Sequence, residues 1–172
     1  MAPPRAAVVA IVLAAASFAG WWFGSHGPGE SSNPTSATGG RFGALVTETV
    51  DGDTVHVRTA QGSDTVRLLG INTPETHDPR KPVECYGPEA SAYTEQVLTG
   101  QRVELELDVE HRDKYGRLLA YIYLDGHRFN DQLLELGYAR VLVIPPNGVY
   151  ARTMLEEQLA AKRSGRGLWS AC

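Results

Sequence analysis

Val55 and Val57 alternate with His56 and Arg58, the period-two pattern of a half-buried strand. The run before it, Ala44 to Val50, is also β-favouring, and the two are joined by Asp51-Gly52-Asp53, where Asp-Gly is a hairpin signal. Gln61 to Asp64 predicts a second turn and Thr65 to Leu69 a third strand, so the chain opens as an antiparallel meander. A polar, Pro-rich loop from Gly70 to Tyr86, carrying Arg80 and Lys81, leads into helical spacing: Ala90, Tyr93 and Val97 lie at i, i+3 and i+7, and Gly100 stops the helix. Alternation returns at Val103, Leu105 and Leu107, with Glu104 and Glu106 on the wet face, and after a turn at Asp113 to Arg117 the run Leu118 to Tyr123 predicts a fifth strand. Asn130 is placed to cap a short helix with Leu133 and Leu134 inward and Gly137 at its end. Beyond the Pro145-Pro146-Asn147 break, Met154, Leu155 and Leu159 predict the inner stripe of a last helix running to Gly165-Arg166-Gly167. Five short strands with a helix inserted after the third predict an α+β fold built on a five-stranded barrel of OB type, with an open α+β sheet as the alternative.

The first forty residues follow other rules. One positive charge at Arg5 precedes the charge-free stretch Ala6 to Gly24, which ends on Trp21, Trp22 and Phe23. Residues 1–24 therefore predict an export segment, either a signal peptide cleaved near Ala19 or an uncleaved anchor with an aromatic belt. Residues 25–41 are rich in Gly, Ser, Pro and Thr without apolar periodicity; they predict a flexible linker to a globular unit over residues 42–172. The expected location is secreted, or tethered to the outer face of the cytoplasmic membrane through residues 6–24.

Composition narrows the chemistry. With 172 residues, 42% of them apolar, the chain suffices for one core, and it is expected to act as a monomer. A formal net charge of −4 argues against nonspecific coating of nucleic acid, so any phosphate chemistry must rest on locally placed Arg and Lys. Two cysteines match no zinc spacing, and the five histidines include no i, i+4 pair. In an exported chain an even pair is more often bridged than free, which gives the expectation that Cys85 and Cys172 form a disulfide pinning the C-terminal end to the loop before the first helix.

Three segments carry unlike polar groups at strand ends: Asp51 and Asp53, then Arg67 with Asn72, Thr73 and Glu75, then Lys114 with Arg117. Carboxylates, an amide and a carbonyl are hard oxygen donors that suit calcium. Two guanidiniums beside such a cation would grip a phosphodiester and balance the charge of a pentacoordinate transition state, and a carboxylate could take a proton from water. Each segment alone reads at least as well without a site: Asp51-Gly52-Asp53 as a plain hairpin turn, Arg67 to Glu75 as a strand with a solvated Arg and a helix start, and Lys114 with Arg117 as solvated turn charges.

The segments VDGDTVHV (Val50 to Val57), VRLLGINTPET (Val66 to Thr76), DKYGRLLAYIY (Asp113 to Tyr123) and GRGLWS (Gly165 to Ser170) resemble, in order, those of the staphylococcal nuclease family. The resemblance covers Phe42 to Cys172 and implies an OB-type five-stranded barrel with three helices and calcium-dependent hydrolysis of DNA and RNA. Carried over by position, it implies Arg67 and Arg117 as catalytic arginines and Glu75 as the general base. It further implies Asp53, the residue at Asn72 and the Thr73 carbonyl as calcium ligands with Asp51 close by, and Lys114 and Tyr115 as contacts to a terminal phosphate. Asn72 departs from the family by replacing a carboxylate, which predicts weaker calcium binding or tolerance of other divalent ions. The family's base-stacking tyrosines align near Val143 and Pro145, where no aromatic stands. His77 and Asp78 receive no role, and Trp169 is expected in the core at the chain end. A noncatalytic OB-fold module binding single-stranded nucleic acid is the rival reading; a peptide-recognising adaptor would need an aromatic cage, which cannot be assembled from these residues.

Overall fold

The structure is a computed structural model that describes residues 40–76 and 82–172. The expected export segment, nearly all of the expected linker, and His77, Asp78, Arg80 and Lys81 lie outside the described residues. Arg41, expected at the end of the linker, already packs on the domain: its guanidinium lies 3.3 Å from the centre of the Tyr123 ring and Nε donates to Glu106 Oε2 at 3.3 Å.

Strands β1 (Phe42–Asp51), β2 (Thr54–Thr59) and β3 (Gly62–Leu68) form the meander. The third strand begins at Gly62 rather than Thr65, because Gly62, Ser63 and Asp64 continue the ladder opposite Thr59, Arg58 and Val57 and leave only a two-residue turn. After β4 (Ile71–Asn72) and α1 (Gly87–Leu98) come β5 (Arg102–Arg112) and β6 (Leu118–Leu124). The chain then runs through β7 (His127–Arg128), α2 (Phe129–Glu135), β8 (Arg140–Val141), α3 (Ala151–Arg163) and α4 (Leu168–Ala171). The five long strands follow the order β3-β2-β1-β5-β6, and β6 pairs back on β3 to close a barrel. That closing pair is the parallel one, with Val66, Arg67 and Leu68 beside Leu118, Leu119 and Ala120. Closure removes the sheet edges and decides the position of the site.

The barrel interior is filled by Val46, Val55, Val57, Val66, Leu105 and Ile122, all fully buried. Burial of each such side chain contributes about 1.5 to 3 kcal/mol. Helix α1 lays Ala90, Thr94 and Leu98 against the barrel, with Tyr93 and Val97 at the margin of that stripe.

Four local expectations are corrected. Asn130 is not a cap: it is the second residue of α2, fully buried, with Nδ2 donating to Leu69 O at 2.8 Å and Oδ1 accepting from Ile122 N at 2.9 Å. It answers two backbone groups of the barrel wall instead of its own helix end. In α3 the buried positions are Met154 and Ala161, while Leu155 and Leu159 are 46% and 42% exposed. The face that packs runs through Ala151, Met154, Gln158 and Ala161, with Gln158 Oε1 accepting the Val141 N–H at 2.7 Å, so it is turned away from Leu155 and Leu159. A short fourth helix, α4, follows the three expected. Within it Leu168 is the buried residue and Trp169 is only half-buried.

Candidate active site

Asp51 closes β1, and its Oδ1 accepts the Asp53 N–H at 3.0 Å, which tightens the turn into β2. Gly52 is required by a close approach: a Cβ there would lie 2.7 Å from Thr73 Cγ2. Buried Thr94 of α1 donates to the Gly52 carbonyl at 2.8 Å, locking the turn from the other side. The turn is thereby pressed onto the segment after β4, and Asp53, 5% exposed, accepts the Thr73 N–H at 2.9 Å.

Arg67 sits in β3 opposite Thr54 in β2 and beside Leu119 in β6. Its guanidinium, 14% exposed, pairs with Asp53 Oδ2 at 3.0 Å and donates to Leu68 O at 2.6 Å, Ile71 O at 2.9 Å and Asn72 Oδ1 at 3.1 Å. Asn72 in turn donates through Nδ2 to the Thr73 carbonyl at 3.0 Å. Burial pushes the Asp53 carboxyl up to about 6, and the Arg67 charge with the Thr73 and Thr54 hydrogen bonds offsets that only in part, against repulsion from Asp51.

Lys114, Tyr115 and Arg117 share the turn before β6. Asp113 holds this turn: Oδ1 accepts the N–H groups of Tyr115 and Arg117, and Oδ2 accepts Arg117 Nε at 2.7 Å. Burial acts to raise the Asp113 carboxyl, but the bond from Arg117 and the two N–H groups outweigh it and hold the group below the ordinary carboxylate value. With Nε engaged, the terminal nitrogens of Arg117 make no hydrogen bond to described residues. Tyr115 is 73% exposed, with Lys114 Nζ 5.0 Å and Arg117 Cζ 5.6 Å from its ring centre.

Glu75 follows Pro74, and its Oε1 accepts the Thr76 N–H at 2.9 Å. Its backbone is held by Glu84, whose N–H donates to Glu75 O at 2.9 Å and whose Oε2 accepts from Glu75 N at 3.2 Å. Gly87 at the start of α1 packs on the same segment, where a Cβ would lie 3.0 Å from Pro74 O and 3.2 Å from Glu75 O. Cys85 and Cys172 are bonded, with Cα atoms 6.0 Å apart, so the chain terminus is tied to the residue next to Glu84.

These segments face one cleft of about 690 Å³. Asp51, Asp53 and Thr54 line it from the first turn, and Arg67 and residues Asn72 to Glu75 from the second segment. Lys114, Tyr115 and Arg117 line it from the third. Every site residue expected from the sequence, apart from the disulfide pair, therefore faces the same space.

The sequence reading missed part of the wall. Leu142 and Ile144, not Val143 and Pro145, line the cleft, and both are exposed at 40% and 64%. Buried Asn147 holds that stretch in place: Nδ2 donates to Glu110 O at 2.8 Å and Oδ1 accepts Glu110 N at 2.7 Å, as a peptide group would. Asp108 accepts the N–H groups of Gly148 and Val149 at 2.8 and 3.2 Å. No local pattern announces these contacts. Asp113 could have been suspected from its position at the head of the turn that carries Arg117, and Glu84 gave no signal.

The donor set suits a hard divalent cation. Two carboxylates, Asp51 and Asp53, face the cleft with the neutral oxygens of Asn72 and Thr73, and Asp53 stays under-neutralised beside Arg67. Among the described residues no three His, Cys, Asp or Glu side chains come together as a ligand group.

Residues 65–171 match the model of the family described as staphylococcal nuclease homologue. The chain is 42% identical over 125 residues to a thermonuclease of Staphylococcus intermedius, covering 73% of this chain and 74% of that protein. It is 39% identical over 125 residues to a thermonuclease of Staphylococcus hyicus, with the same coverage. Against the endonuclease YncB of Bacillus subtilis the identity is 41% over 123 residues, 70% of this chain and 58% of that protein.

Proposed function

This chain belongs to the staphylococcal nuclease family and is a nuclease, and we propose that it hydrolyses phosphodiester bonds of DNA or RNA with calcium held at the Asp53 end of the cleft. The observation that carries this reading is the convergence of Arg67, Arg117 and Glu75, from three separate segments, on one cleft beside a buried carboxylate.

Asp53, Asn72 Oδ1 and the Thr73 carbonyl would hold the cation, with Asp51 close by. Bound there, it would supply positive charge to a phosphate oxygen. Arg67 is fixed by its carbonyl, amide and carboxylate partners before substrate arrives, so its positive charge would be in place without reorganisation. Arg117 approaches from the opposite turn, oriented by Asp113 through Nε, and presents its terminal nitrogens to the non-bridging oxygens. Glu75 takes a proton from the attacking water, which adds to phosphorus in line with the leaving oxygen. Lys114 and Tyr115, exposed on the rim, contact a neighbouring phosphate.

The apolar stretch Ala6 to Gly24 and the bridged cysteines support a site of action outside the cytoplasm. The test of the reading is digestion of single- and double-stranded DNA and RNA by the full chain, with calcium, magnesium or chelator, beside Glu75→Gln. Cleavage that needs the cation and Glu75 supports it; binding of single strands without cleavage would make the domain a noncatalytic module.

A further inference from the structure

Glu84 is an exposed carboxylate on the cleft wall for which the chemistry above has no use. It nevertheless answers both backbone polar groups of Glu75: its N–H donates to the carbonyl at 2.9 Å and its Oε2 accepts the N–H at 3.2 Å. The reciprocal pair leaves the backbone from which the Glu75 side chain is aimed little freedom to turn. Glu84 is itself anchored: its neighbour Cys85 is bonded to Cys172 across 87 residues of sequence, and Gly87, two residues beyond Cys85, is packed on Pro74 and Glu75. A covalent tie and a helix start therefore follow directly on the residue that holds the base, and anchor it from its C-terminal side.

We infer that Glu84 is a positioning residue for Glu75, and that the Cys85–Cys172 bond is the anchor from which it acts. This rests on reading Glu75 as the general base. A reacting group displaced by about 1 Å loses roughly a hundredfold in rate, so an anchor of this kind bears on turnover and not on substrate affinity.

The experiment compares Glu84→Ala, Glu84→Gln and the double variant Cys85→Ser, Cys172→Ser in the full chain, well below their melting temperatures. Turnover and KM on single-stranded DNA, the half-saturating calcium concentration, and hydrogen exchange at the Glu75 amide are measured. Glu84→Ala is expected to lower kcat roughly 10- to 100-fold with KM and calcium dependence unchanged, and to speed exchange at Glu75. Glu84→Gln keeps an oxygen acceptor without the charge, so it is expected to keep kcat within about threefold of the parent. The serine variant should move kcat and exchange in the same direction as the alanine. Equal losses in Ala and Gln with a raised calcium requirement would make Glu84 a cation ligand and overturn the inference, as would unchanged kcat and exchange in all three. Because exchange at Glu75 is read without turnover, a failure of positioning is distinguishable from a failure of the nuclease reading.

Discussion

Arg67 and Arg128 are both buried guanidiniums beside an aspartate, with side chains 14% and 10% exposed, yet they are built differently. Arg128 is saturated: Nε donates to Asp131 Oδ1 at 2.7 Å, a second nitrogen lies 2.5 Å from Oδ2, and the group stacks 3.7 Å from the centre of the Tyr150 ring. Both charges find geometry that fits them, and the pair ties β7 to the start of α2. Arg67 meets Asp53 through one carboxylate oxygen and gives further bonds from its terminal nitrogens to two carbonyls and Asn72, and Asp53 remains raised to about 6 by burial. A buried carboxylate that its arginine only partly neutralises is stable in its charged form when a second cation arrives. What separates the Arg128 pair from the pair proposed to be functional is the charge left uncompensated, not the residue types.

The largest expected contrast comes from replacing each arginine by lysine. If Arg67 serves the phosphate as proposed, Arg67→Lys removes the delocalised guanidinium and the bonds that fix it, and should lower kcat about 10²- to 10³-fold on single-stranded DNA. Arg128→Lys should leave kcat unchanged and instead reduce unfolding free energy by about 2 kcal/mol in urea titrations. Loss of activity in the Arg128 variant at full folding would break the comparison. The next effect is on pH. If the cation sits at Asp53 as proposed, protons compete for it, so cation affinity, read by terbium luminescence, should fall as pH drops through about 6, by about tenfold per unit below it. In the cation-free protein the same shift has the opposite consequence for stability. The folded state holds the proton more tightly than an unfolded chain with an ordinary value of 3.8, so stability from this group declines as pH rises from about 4 to 6. A flat affinity profile across this range would remove Asp53 from the cation site. The smallest effect is at Asn72, where Asn72→Asp restores a carboxylate next to Arg67 and should lower the half-saturating calcium concentration by about three- to tenfold. An unchanged requirement would show that residue 72 does not touch the ion.

Local patterns carried much of this molecule. The Asp-Gly turn, the alternation at Val55 and Val57 and the spacing at Ala90 each depend on neighbours within one turn or one hairpin, and each lies where it was expected. Errors arose wherever a residue answers to something distant. Asn130 has the chemistry of a cap but serves Leu69 and Ile122, and Leu155 and Leu159 have the spacing of a core stripe but lie off the face of α3 that packs. Leu142 and Ile144 could not be placed at the cleft because Asn147 and Asp108 fix that stretch by bonds to β5.

By itself the sequence determined the family, the barrel-and-helix composition and the kinds of side chain available for phosphodiester chemistry, because motifs and periodicity are properties of contiguous residues. Only the tertiary structure decided that Asp53, Arg67, Glu75 and Arg117 share a cleft. The parallel pairing of β3 with β6 sets Arg67 beside Leu119, and the antiparallel pairing of β2 with β3 brings Asp53 to the same end. Long-range strand pairing is selected by the fit of the whole core and leaves no local signature, so the same segments would be solvated turns if the barrel were left open.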